Sequence, residues 1–465
     1  MPFSKLGLSD SIVKAVTEMG YTSPTPIQEK AIPVALTGKN LMAAAQTGTG
    51  KTASFVLPIL QMLDDGIKVR PKRVRALILA PTRELAVQVE DNIKQYSKHL
   101  NLKSMAMYGG VDYEPQKRRL IEGVDILVAT PGRLLDMYTQ RAIHFDAIEI
   151  LVLDEADRML DMGFIEDINK IVERLPIDRQ NMLFSATLSD QVRFLAKTAV
   201  RNPIEISVAK DASADPKIDQ WLVTVDKDMK SSLLSHLIQE QQWDQALIFI
   251  ETKHGAAKLV TQLEKRGIKA ESFHSGRSQG VRSQLLEDFK NGKLQYLIAT
   301  GVASRGIDIE QLTRVVNYDL PFPPEEYVHR IGRTGRAGAS GEAISFVSKD
   351  NFKNLCMIES LLGHLIVRKE IEGFKPKKEV PVSILNYKPK FKKPAKPRDD
   401  AEGENNERKP RRDNRSRNNA PRGDKPKSTK PKSTKPKSTK PKRRKPITDR
   451  ETGLPRAPRK PKPQQ

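Results

Sequence analysis

Leu41-Met42-Ala43-Ala44-Ala45-Gln46-Thr47-Gly48-Thr49-Gly50-Lys51-Thr52, continued by the apolar run ASFVLPIL at 53–60, reads as strand, glycine-rich loop and helix in direct succession. Small residues in such a loop let backbone N–H groups turn inward around phosphates. Lys51 then reaches the β- and γ-phosphates, and the Thr52 hydroxyl is placed to hold magnesium. The strict pattern has glycine where Ala45 stands, and a plain glycine-rich turn is the alternative for the string taken alone.

A second stretch complements the first. Asp154-Glu155-Ala156-Asp157 stands at the end of the apolar run IEILVL, in the same half of the chain. A carboxylate there can bind magnesium through water, and its neighbour can polarise an attacking water. Acidic residues after a buried strand also occur as simple loop solvation, but pairing with a phosphate loop favours chemistry.

Outward from these stretches, apolar β-rich runs recur at 41 (LMAAA), 75 (RALILA), 125 (DILVAT), 149 (EILVLDEAD) and 181 (NMLFSAT). Helix-spaced segments such as ELAVQVEDNIKQYSKHL lie between most of them. Strands alternating with helices predict an α/β chain with a doubly wound, mostly parallel sheet and ligands at the carboxyl ends of its strands. Residues 209–217 are small, polar and proline-containing, as a linker is. A second series follows at 246 (ALIFIET), 269 (KAESFHSG), 294 (LQYLIATG), 313 (TRVVNYD) and 341 (GEAISFV). Two similar domains, 1–208 and 218–372, on a short hinge imply a cleft that opens and closes. Residues 373–465 lose all periodicity and repeat the unit STKPK at 428, 433 and 438, so they predict a disordered tail rich in Lys, Arg and Pro.

Length alone, 465 residues, suggests two or three folding units. Residues 381–465 hold 29 Lys or Arg against 9 Asp or Glu, which is +20 of the net +23. The basic balance therefore describes the tail, and the folded part is near neutral. One cysteine, Cys356, excludes an intrachain disulfide, and no Cys/His pairs stand at zinc-ligand spacing. Neither a signal peptide nor an apolar run long enough to span a bilayer is present, so a cytoplasmic protein with no membrane partner is expected.

With these residues in place, the chain resembles the DEAD-box RNA helicase family over residues 1 to 370. The family's adenine-reading motif is similar to Gly20-Tyr21-Thr22-Ser23-Pro24-Thr25-Pro26-Ile27-Gln28, with Phe3 as its upstream aromatic. Further matches are Pro81-Thr82-Arg83-Glu84-Leu85-Ala86, Gly109-Gly110, Thr130-Pro131-Gly132-Arg133 and Ser185-Ala186-Thr187. In the second half they are Gln279-x-x-Arg282, Ala303-Ser304-Arg305-Gly306-Ile307-Asp308 and the run from His329 to Arg336.

The resemblance implies two tandem RecA-like domains that close on ATP and Mg2+ and grip single-stranded RNA or a short duplex. Under it, Phe3, Tyr21, Gln28, the loop Ala45-Gln46-Thr47-Gly48-Thr49-Gly50-Lys51-Thr52 and Asp308 bind the nucleotide. A glutamine amide offers adenine both a donor and an acceptor, Phe3 would stack on the base, and Asp308 would accept from the ribose. Lys51, Asp154 and Glu155 serve hydrolysis, with Thr52 and Asp154 at the metal. Arg333 and Arg336 resemble arginine fingers, a role worth about three to five decades in GTPases. Asp157, Ser185, Thr187 and His329 couple the halves, and Arg83, Gly110, Thr130, Arg133, Arg282 and Thr300 contact RNA with little sequence reading. One departure is Gly301, where many members carry an acidic residue; it touches RNA affinity or coupling at most.

The compact length, the lone basic tail and the LGL and GFKP flanks are most similar to the bacterial RhlE-type subgroup. The tail, without aromatic interleaving beyond Tyr387 and Phe391, suits non-specific RNA binding, with a solubilising extension as the alternative. His99, His144, His236, His254 and His364 are expected to be structural or surface residues, and Trp221 and Trp243 to pack near the second core. Two rivals stay open: a DNA translocase on the same motor, and an RNA chaperone acting through the tail. A monomer working in ribosome assembly or RNA decay is the expected setting.

Overall fold

The computed structural model describes residues 2–45, 48–208, 218–301, 312–335 and 340–385. The linker 209–217, the tail from 386 onward and the expected site residues Gln46, Thr47, Asp308 and Arg336 lie outside the described residues. Within these, the chain forms two parallel sheets of seven strands each. The first holds β1 (Leu41–Ala44), β2 (Ala76–Leu79), β3 (Ser104–Met107), β4 (Ile126–Ala129), β5 (Ile150–Leu153), β6 (Gln180–Ser185) and β7 (Ile204–Ser207) in the order β3-β4-β2-β5-β6-β1-β7. The second holds β8 (Ile218–Thr224), β9 (Ala246–Ile250), β10 (Ala270–Phe273), β11 (Tyr296–Thr300), β12 (Arg314–Asn317), β13 (Gly341–Val347) and β14 (Val367–Arg368) in the order β10-β11-β9-β12-β13-β8-β14.

Helices cover both faces of each sheet, which is why the inner strands read as unbroken apolar runs. Side chains alternate across the strand with period two. Ile78, Val128 and Val152 pack with Phe55 on one face of the first sheet, and Leu77, Leu127 and Leu151 pack with Met159 on the other. Each such burial contributes about 1.5–3 kcal/mol. The second sheet repeats this with Ile248, Ile298 and Ile344 against Trp221 and Trp243, as expected for the two tryptophans. Cys356 is buried and free. No helix among the described residues is long and apolar enough to cross a membrane.

Two features differ from the sequence expectations. Four strands were absent from the apolar runs: β3, β7, β8 and β14. β3 and β7 are the edges of the first sheet, β14 is an edge of the second, and β7 buries only Ile206. The packed chain also continues past 372. Phe374 lies against the second core, Lys377 N donates to Asp226 Oδ2 (3.1 Å), and Val380 joins Leu355, Ile358 and Ile366. Arg368 donates to the carbonyls of Val380 (2.7 Å) and Pro381 (2.6 Å), so residues 373–385 belong to the second domain rather than to the tail.

Candidate active site

The loop after β1 is held from below by the segment that starts the second helix. Thr25 Oγ1 donates to the Thr49 carbonyl (2.7 Å), and Gln28 Nε2 donates to the Gly50 carbonyl (3.1 Å). Gln28 Oε1 accepts from Thr25 N (2.9 Å), closing a capping box on the helix Pro26–Leu36. Gly50 has φ +89°, and a Cβ there would sit 2.3 Å from Gln28 Nε2, so glycine is required. Lys51 opens the helix Lys51–Leu63, is buried, and donates from Nζ to the Ala45 carbonyl (2.7 Å). An ammonium has three donors, so two remain for an anion at this helix N-terminus. Ala45 N is bound by Ser185 O (3.1 Å), which ties the loop to β6. Thr52 is half-buried, and Gly48 has φ +81°. The structural work of Thr25 and Gln28 went unread, although Thr25-Pro26-Ile27-Gln28 carries the T-x-x-Q capping signature.

The aromatic residues are arranged differently from expectation. Tyr21 is 40% exposed and its ring lies 6.2 Å from Tyr96, with the hydroxyls 3.3 Å apart. Phe3 is only 4% exposed and belongs to the core with Ile27 and Ile32, its ring 6.4 Å from Tyr21. Tyr21 therefore offers the open aromatic surface that the sequence assigned to Phe3.

At the end of β5, Asp154 is 3% exposed and Glu155 is 8% exposed. Burial first, and then the charge of Glu155, push the Asp154 carboxyl up to about 7, while the Lys51 ammonium and the Glu155 N–H draw it down. Glu155 has φ +49°, a left-handed conformation costing about 1–2 kcal/mol for a residue with a side chain. Its Oε2 is buried with no hydrogen-bond partner among the described residues. Lys51 acts electrostatically on the neighbouring Asp154, so the strained Glu155 backbone and the lysine both belong to the end of β5 and the phosphate loop. Asp157 takes the Arg158 N–H on Oδ1 (3.1 Å) and the Ala186 N–H on Oδ2 (3.1 Å), and Thr187 N donates to Ser185 Oγ (3.3 Å). Asp157, Ser185 and Thr187 are thus brought together. His329 is half-buried on the helix Glu325–Ile331 of the second domain, and Arg333 is buried just after it.

The ends of β2, β3 and β4 form a second group. A Cβ on Gly110 (φ +79°) would lie 2.2 Å from Arg83 Nη1, so the guanidinium rests on the glycine backbone. Arg133 Nη2 donates to the Val111 carbonyl (3.0 Å), and Thr130 stands at the N-cap position of the helix Pro131–Thr139 without a side-chain cap bond. Thr300 ends β11 in the second domain and is buried. Arg282, expected from the resemblance to contact RNA from the second domain, is buried over the Phe273 ring (4.8 Å), with Nη2 2.9 Å from Glu84 Oε1. Gln279 Nε2 reaches the same Glu84 oxygen (3.0 Å). Glu84 thus joins the two domains, a role that sequence reading missed because its partners lie 195 residues and more away.

A loop shaped for phosphates, a buried carboxylate pair beside it and two parallel-sheet domains in contact define a nucleotide-driven motor of the RecA type. The DEAD/DEAH box helicase family matches residues 25–195, and the helicase conserved C-terminal domain matches residues 229–338. The ATP-dependent RNA helicase CshA of Listeria monocytogenes is 44% identical over 357 residues, 77% of this chain and 68% of that protein. The DEAD-box ATP-dependent RNA helicase CshA of Geobacillus kaustophilus is 40% identical over 374 residues, 80% of this chain and 78% of that protein. A structure of S. cerevisiae Dbp5 bound to RNA and ADP BeF3 is similar with a TM-score of 0.71 at 34% identity, covering 79% of this chain and 95% of that one. Mss116p bound to ssRNA and AMP-PNP also gives 0.71, at 30% identity and 80% and 78% coverage. The chain belongs to the DEAD-box family of ATP-dependent RNA helicases, enzymes that hydrolyse ATP.

Proposed function

We propose that the two domains, 1–208 and 218–372 with the packed extension to 385, close on ATP and single-stranded RNA and separate short duplexes locally. The observation that carries this reading is the division of the first sheet's carboxyl edge. Phosphate-loop and acidic residues gather at β1, β5 and β6, whereas Arg83, Gly110, Thr130 and Arg133 gather at β2, β3 and β4. One sheet thereby holds nucleotide at one half of its edge and a nucleic-acid backbone at the other.

Lys51 holds the β- and γ-phosphates, Glu155 orients the attacking water, and Arg333 with Arg336 approaches the γ-phosphate from the second domain. Gln28 and Tyr21 meet the adenine, with Asp308 at the ribose. The buried Asp154 carboxyl and the Thr52 hydroxyl, both oxygen donors, suit magnesium, which would be held partly through water and would offset phosphate charge. Thr300 extends the RNA path into the second domain, and 2′-hydroxyl contacts select RNA over DNA. The basic tail adds non-specific, salt-sensitive affinity.

The bacterial RhlE-type placement rests on the LGL and GFKP flanks and the lone tail, since the relatives reported above carry the name CshA. A monomer in the cytoplasm, acting on ribosomal precursors or within RNA decay, completes the reading. ATP hydrolysis measured without nucleic acid, with RNA and with single-stranded DNA of matched length, against Glu155→Gln as blank, tests it. Stimulation by RNA alone supports the substrate class, and equal stimulation by DNA overturns it.

A further inference from the structure

Arg158 follows Asp157 directly and is 3% exposed. Its Nη1 lies 2.5 Å from Glu326 Oε2 of the second domain, and the two side chains are 4% and 5% exposed. The other oxygen of Glu326 faces Arg330 Nε at 4.0 Å, one helical turn further on. Arg330 is itself fixed to the second sheet: Nη1 donates to Asp319 O (2.8 Å) and to Asn317 Oδ1 (3.3 Å), and the guanidinium lies over Phe249 (4.9 Å). Glu326 and Arg330 share the helix Glu325–Ile331, two residues before Arg333. A chain of contacts therefore runs from Ala186 through Asp157 and Arg158 to Glu326 and the segment that presents Arg333.

A buried ion pair that spans two domains exists only while they are together. Apart, both charges are hydrated, and joining them sets desolvation against Coulomb attraction and the hydrogen bond. Once formed, such a pair is unforgiving, because loss of one member leaves the other charge buried and uncompensated. Gly301 lies at the same place: a Cβ there would sit 3.1 Å from Arg330 Nη2 and in ordinary contact, 3.9 Å, with Glu326 Oε1.

We propose that Arg158 and Glu326 are positioning residues for ATP hydrolysis, their ion pair locking the helix that leads to Arg333 against the Asp154–Asp157 stretch in the closed enzyme. The proposal rests on the closure reading above. In the full chain, Arg158→Gln, Glu326→Gln, the double variant and Arg158→Lys are compared. The measurements are the affinity for a fluorescent single-stranded RNA with and without a non-hydrolysable ATP analogue, the RNA-stimulated kcat and KM for ATP, and the unfolding midpoint without ligands.

Each Gln variant is expected to lose on the order of tenfold of the analogue-dependent tightening, as contacting buried charges do. Glu326→Gln gives the larger loss, because it removes the carboxylate that both guanidiniums face. The double variant is no worse than Glu326→Gln alone, and Arg158→Lys recovers part of the Arg158→Gln loss. RNA affinity without analogue stays at the parental value, and kcat falls more than KM rises. Losses that multiply in the double variant overturn the proposal, as does a lowered midpoint with tightening intact. Arg158 lies in the other domain, so a Glu326→Gln protein that fails to fold leaves the Arg158 pair of variants to decide. A parental chain without analogue-dependent tightening overturns the closure reading itself.

Discussion

Replacing Gln28 by alanine removes two bonds at once, the acceptor for Thr25 N and the donor to the Gly50 carbonyl. The side chain is 4% exposed, so the freed backbone groups regain water only in part. At about 1 kcal/mol for each buried group left unpaired, the first domain loses about 2 kcal/mol. For a domain of about 200 residues this lowers the unfolding midpoint by roughly 4–8 °C. Glutamate at 28 separates the two bonds. It still accepts from Thr25 N, as capping boxes with Glu do, but it sets a buried carboxylate oxygen against the Gly50 carbonyl, so its midpoint also falls below the parent's. Thermal unfolding without nucleotide reads the first effect. The Gly50 carbonyl belongs to the phosphate loop, so KM for ATP should rise in both variants. A Gln28→Ala protein melting within about 1 °C of the parent would refute the reasoning, since it would mean that the loop is held by something else.

Other expectations follow from single geometries. Gly110→Ala forces a Cβ onto the Arg83 guanidinium, so RNA affinity measured by fluorescence anisotropy should fall roughly 5–30-fold, the equivalent of about 1–2 kcal/mol, while RNA-free ATPase holds. The Asp154 carboxyl, pushed up to about 7, binds its proton more tightly folded than unfolded. Its contribution to stability therefore declines as pH rises from the ordinary carboxylate range towards 7, and magnesium-nucleotide binding, which needs the ionised form, should release protons near neutrality, visible as a buffer-dependent enthalpy in calorimetry. Ending the chain after residue 372 should lower the midpoint by stripping Val380 from Leu355, Ile358 and Ile366, whereas ending it after 385 should preserve the midpoint and weaken RNA binding with a shallower salt dependence.

The central strands were legible because parallel strands covered on both faces are apolar throughout, as ALIL at 76–79 and ILVL at 150–153 are. The edge strand β7 escaped for the converse reason. β7, with three of its four residues exposed, has no burial pattern to betray it. The phosphate loop and the acidic stretch were legible because their chemistry is local, set by backbone shape and immediate neighbours. Phe3 misled because an aromatic side chain suits both a base and a core, and only packing shows which claimed it.

By itself the sequence determined the α/β class, the two parallel-sheet domains and the family to which the chain belongs. Tertiary structure alone decided that Gln28, expected to read the adenine, also braces the loop through the Gly50 carbonyl, that Arg282 is held by Glu84, and that Arg158 meets Glu326 across 168 residues. Strand and loop signals arise from interactions between near neighbours, whereas a charge's partner is chosen by how two separately folded sheets come to rest, and no spacing along the chain encodes that distance.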